Sequence, residues 1–126
     1  RTRVDQAYVS KRAIVFESRA SNNQPLGIYH YPLNGNAALR VRENARIVFL
    51  HDPFFITAVN KDKAQWLVVY RFDDPSYEFS LGDAKQFDTS FIEVDGDQLM
   101  LGRKGVLVAD LARRKFIIAP SDSKLK

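Results

Sequence analysis

The chain has 126 residues, 45% of them hydrophobic and 27% charged, with a net charge of +4 at neutral pH. A chain of this length and balance buries a core of its own, so neither disorder nor a dependence on a structural metal is indicated. Cysteine is absent, which excludes disulfides, thiol nucleophiles and thiolate metal sites, and no apolar run approaches the roughly eighteen residues of a membrane-spanning helix.

Residues 8–19 are rich in β-formers, with Tyr8, Ile14 and Phe16 on one phase and Val9, Ala13 and Val15 on the other. Apolar residues on both phases predict one strand covered on both faces. A polar loop follows, residues 26–33 predict a second strand, and the Asn34-Gly35 pair predicts a tight turn because both residues tolerate positive φ. Residues 39–50 are extended, interrupted near Glu43-Asn44 into two strands or one bent strand, and Pro53 ends the ladder because it has no N–H to donate. Residues 54–59 and 65–72 flank a hairpin at 60–63. The competing reading, a helix capped by Asn60 with Ala64, Leu67 and Val68 along one face, is opposed by the β-forming cluster Val68-Val69-Tyr70.

Residues 73–76 form a turn, 77–81 a short strand, and 82–88 a brief helical turn through Ala84, Lys85 and Gln86. In the last third, residues 91–94 and 98–101 make a hairpin about Asp95-Gly96-Asp97. Turns at 102–105 and 112–115 then lead into strands at 106–111 and 116–119, and Pro120 closes the series. About nine or ten short strands, with a turn roughly every ten residues, predict an all-β, mainly antiparallel domain over 1–126, either a β-sandwich or a β-barrel. Nine phenylalanines against one methionine and one tryptophan make its core aromatic and stiff. Because the chain begins at Arg1 and not at methionine, it is expected to be part of a longer protein, with an exported or membrane-anchored location.

Charge is the most distinctive feature. Between residues 73 and 97 lie eight carboxylates, among them Asp73, Asp74, Asp95 and Asp97, against the single base Lys85. The rest of the chain is correspondingly basic, with clusters over 40–46 and 103–115. Arg40 and Arg42 alternate with Leu39 and Val41, which predicts both arginines on one strand face roughly 7 Å apart. Arg103, Lys104, Arg113, Arg114 and Lys115 fall in turns that would make a positive rim if they lie at one end of the fold.

Catalytic chemistry is not indicated. The two histidines, His30 and His51, are not spaced as metal ligands, and their reading is as surface or hydrogen-bonded side chains. Asp95-Gly96-Asp97 is similar to part of a calcium loop but lacks the further oxygen ligands and the closing glutamate. No serine sits in a Gly-x-Ser-x-Gly elbow, and no glycine-rich phosphate loop is present. The expectation is a non-enzymatic binding module without cofactor or metal, meeting a protein partner or a second copy through its acidic and basic surfaces. A barrel holding a small apolar ligand is the first alternative, prompted by the aromatic residues, and a nucleic-acid-binding barrel the second, prompted by the basic clusters.

Overall fold

A computed structural model describes residues 4–11, 13–19, 25–33, 39–74, 76–86, 91–102 and 106–118. Twelve strands lie among them, in three open four-stranded antiparallel sheets, and the one helical element is a single 3-10 turn at Ala84–Gln86. No sheet closes on itself. The barrel alternative is therefore corrected, while the all-β, antiparallel expectation stands. The chain divides into two compact units, Arg1–Leu81 and Gly82–Lys126.

The first sheet contains β1 (Val4–Val9), β2 (Ala13–Arg19), β3 (Pro25–Pro32) and β4 (Leu39–Glu43) in sequence order. Residues 8–19, expected as one strand, are parts of two. The chain reverses after Val9, where the Ser10 N–H donates to the Ala13 carbonyl at 2.9 Å and the Ser10 Oγ accepts from the Ala13 N–H at 3.2 Å. A serine hydroxyl that satisfies local backbone groups competes with strand continuation, which is why the run folds back there.

The second sheet contains β5 (Ala45–His51), β6 (Phe54–Lys61), β7 (Ala64–Arg71) and β8 (Phe79–Asp83). The break expected at Glu43-Asn44 separates β4 from β5, with Asn44 at φ 53. Residues 61–70 are strand and turn, not helix. β6 and β7 join through the two-residue loop Asp62-Lys63, whose φ values of 53 and 65 are those of a type I′ turn, made here without glycine.

Both phases of β6 from Phe54 to Val59 are buried, as are residues 67–70 of β7. One cluster draws on both sheets: Ala13, Val15 and Ile28 from the first, and Ala45, Phe55, Val59, Val68 and Tyr70 from β5 to β7, with Phe72 just after β7. Phe55 lies at its aromatic centre, its ring 5.7 Å from that of Tyr70 and 5.0 Å from that of Phe72. Burying each such ring stabilises the fold by roughly 1.5–3 kcal/mol. Two buried polar side chains bond to the backbone, while His30 Nδ1 and the Tyr70 hydroxyl find no partner among the described residues. The Thr57 hydroxyl donates to the Val68 carbonyl at 3.1 Å, and His30 Nε2 donates to the Phe72 carbonyl, which can only accept and so fixes the proton on that nitrogen.

The third sheet contains β9 (Ile92–Asp95), β10 (Gln98–Leu101), β11 (Leu107–Asp110) and β12 (Lys115–Ile118), in spatial order β12-β11-β10-β9. Gly96, at φ 61, turns the β9–β10 hairpin as its sequence predicted. Leu99, Leu101, Leu107, Ala109 and Leu111 are fully buried.

Candidate functional site

The acidic segment does not act as one belt. Asp73 accepts both arms of a fork from Arg71, at 2.7 Å to Nε and 2.9 Å from Nη2, while the same guanidinium lies 4.9 Å from the Phe54 ring centroid. Asp73 thus fixes a cation over an aromatic ring. Asp74 caps the following turn: its Oδ1 accepts from the Ser76 hydroxyl at 2.6 Å and the Ser76 N–H at 3.0 Å. These two bonds, the hydroxyl first, hold the Asp74 carboxyl below the usual carboxylate range. Asp83 does similar work, accepting from the Lys85 N–H at 2.9 Å. The local roles explain these acids without a ligand.

Arg42 is half-buried in β4 and forms an ion pair at 3.2 Å with Glu78, a contact that sequence spacing gave no means of finding. Ile28 lies opposite Arg42 and Tyr29 opposite Arg40, so a bulge falls between the two arginines and interrupts the alternation from which a shared face was expected. Beside Arg42, the residues Lys61, Asp62, Trp66 and Glu78 help to line a recess of about 360 Å³. Its two bases and two acids compensate one another, so it offers an indole face but no net charge to select an ion. Tyr70 is buried near this pair, and its phenol is pushed up to about 12, first by desolvation and then by the Glu78 charge, with Arg42 opposing. Its hydroxyl has no hydrogen-bond partner among the described residues.

The third sheet places the remaining candidates. Arg103 and Lys104 lie outside the described residues. Arg113 and Arg114 are exposed in the turn from β11 into β12, and Lys115 is exposed at the start of β12. The Asp110 carboxylate shapes that turn by accepting from the Arg113 N–H at 3.0 Å, and Arg114 takes φ 55. Asp95 and Asp97 are exposed about Gly96 at the other edge of the sheet. Pairing across the strands creates one row, Asp95–Gln98–Asp110–Lys115, and beside it a second, Val94–Leu99–Ala109–Phe116. The first row begins with an acid on one edge strand and ends with a base on the other.

The composition of β12 was not read as a site, yet it is the most exposed apolar element of this sheet. It borders β11 alone, and Phe116, Ile117 and Ile118 are 42%, 60% and 43% exposed. The sequence signal was available: Phe-Ile-Ile directly after three bases, with no alternating polar residue to blunt the edge.

Among the described residues no group of three or more histidine, aspartate or glutamate side chains is arranged to hold a metal ion. His51 is exposed and His30 is committed to the Phe72 carbonyl, so the two histidines do not converge. No helix of the described residues is long and apolar enough to cross a membrane. Comparison with known proteins finds no family model, no curated protein and no solved structure that matches the chain.

Proposed function

We propose that this chain is a non-enzymatic protein-binding module, and that its docking element is the β12 edge with the basic turn before it. The observation that supports this reading is the exposure of Phe116, Ile117 and Ile118 on a strand with one neighbour. Proteins that stay monomeric blunt such edges with charge, proline, shortness or a bulge. β12 is short and carries a bulge at its pairing with Val108 and Ala109, but Lys115 is its only charge. An extended partner strand laid against it would gain backbone hydrogen bonds and cover the apolar side chains, while Arg113, Arg114 and Lys115 would favour acidic residues on that strand. We also infer that the Arg1–Leu81 unit is a β-sandwich, a reading supported by a core cluster to which both of its sheets contribute.

The test is binding of the whole chain to two sets of extended apolar peptides, one flanked by Asp or Glu and one by Lys or Arg. The acidic set is expected to bind, to weaken as salt rises, and to lose binding to the Ile117→Lys variant. Equal binding of both sets, or full retention by that variant, would overturn the reading.

A further inference from the structure

We infer that the partner strand comes from a second copy of this chain, and that copies join head to tail, the β12 edge of one against the β9 edge of the next. The inference rests on the reading of β12 as a docking edge and names its occupant. Three features of the third sheet support it.

The first is direction. Each neighbouring pair in the order β12-β11-β10-β9 is antiparallel, so the two edge strands also run in opposite senses. A copy placed beside the first, in the same orientation, therefore brings its β9 against β12 as an antiparallel pair, and the sheet continues without a change of pattern. The second is register. The row Asp95–Gln98–Asp110–Lys115 has opposite charges at its ends, so continuation of the row sets Lys115 opposite the next copy's Asp95. The neighbouring row does the same with apolar groups, setting Phe116 opposite Val94. The third is charge around the junction. Glu93 and Asp95 lie in β9 with Asp97 just after it, and Arg113 and Arg114 lead into β12, which begins at Lys115.

Past the bulge the same continuation sets Ile118 opposite Glu93, so the complementarity rests on the first two rows. A two-fold pairing of β12 with itself gives Lys115 no acidic partner, because Lys115 is the only charged residue of the strand. The head-to-tail junction leaves one β9 and one β12 edge free at every step, so assembly is open-ended unless it closes into a ring. Each junction is a strand pair of only four residues, so association belongs at the weak, transient end of protein contacts.

Sedimentation velocity on the full chain over a hundredfold range of concentration tests this. The wild type is expected to grow beyond a dimer, and less so at high salt. Asp95→Lys and Lys115→Asp should each weaken association by about tenfold. An equimolar mixture of the two variants should restore it, because each supplies the charge that the other lacks. Lys115 also faces Asp110 within the sheet, so Asp95→Lys, whose neighbour Gln98 is neutral, is the variant least exposed to a folding defect. A species that stops at a dimer and ignores Asp95→Lys would overturn the inference. So would a monomer at every concentration. If that monomer still bound the acidic peptides through β12, only the second-copy assignment would fail; if it bound neither, the docking edge would fail with it.

Discussion

Replacing Tyr70 by phenylalanine should make the protein more stable, an uncommon direction for a change to a fully buried residue. Tyr70 is 2% exposed and its hydroxyl finds no partner among the described residues, whereas its ring packs on Phe55 at 5.7 Å. Phenylalanine keeps the ring contact and removes a desolvated hydroxyl whose burial costs about 1–3 kcal/mol. A gain of about 1 kcal/mol follows, or a rise in Tm of about 3–6 °C for a chain of this length. Thr57→Val is the internal control, since it removes a bond that is made, to the Val68 carbonyl, and should cost about 1 kcal/mol. The pH dependence supplies a second arm. The phenol rises from 10.0 in the unfolded chain to about 12 in the folded one. Above pH 10 the unfolded state therefore loses this proton first, so stability is complete below that pH and falls until the folded phenol ionises near 12. Tyr70→Phe should remove that part of the alkaline loss. Urea denaturation of the three proteins at pH 7, and of wild type and Tyr70→Phe up to pH 11, measures both effects. A loss of 1 kcal/mol or more in Tyr70→Phe at neutral pH would show a made hydrogen bond and refute the reasoning.

Three further outcomes are expected. Lys63 holds φ 65 in the β6–β7 turn, so Lys63→Gly should stabilise by about 0.5–1 kcal/mol in the same denaturation experiment, as the left-handed conformation no longer opposes a Cβ. Phe55→Ala removes the ring between Tyr70 and Phe72 and should cost about 3–5 kcal/mol, enough to leave little of the stability usual for a domain, as read by thermal melting. Asp74 contributes stability above its unfolded carboxyl range and loses it as the pH falls through the lower folded value; Ser76→Ala should raise that folded value, followed by NMR titration of the Asp74 carboxyl.

Strands and turns were legible where a residue has a local physical reason to be there. The Gly96 hairpin was found because glycine tolerates positive φ, the Asn34-Gly35 turn expected on the same ground lies outside the described residues, and the β6–β7 reversal was found although Asp62 and Lys63 make it without glycine. The reversal after Val9 was missed because it depends on a serine bonding its own neighbours inside a run of β-formers. Charge was legible as a pattern and not as a site. Asp73 and Asp74 are spent on an arginine and a turn close in sequence, whereas the Arg42–Glu78 pair joins residues 36 apart that only the fold brings together. A shared face for Arg40 and Arg42 followed from strict alternation, and one inserted residue in β4 interrupts it. The proposed docking edge had a local signal in Phe116-Ile117-Ile118 after three bases, but that β12 ends its sheet is a fact of topology that the run alone does not give.

Amide hydrogen exchange of Lys115–Ile118 tests the docking edge most directly, followed as either the acidic-flanked peptide or the protein's own concentration is raised. The outward amides of β12 should become protected as a partner strand covers them, and the Ile117→Lys variant should lose that protection. Exchange that stays fast and unchanged under both titrations would contradict the edge as the place where this protein meets its partner.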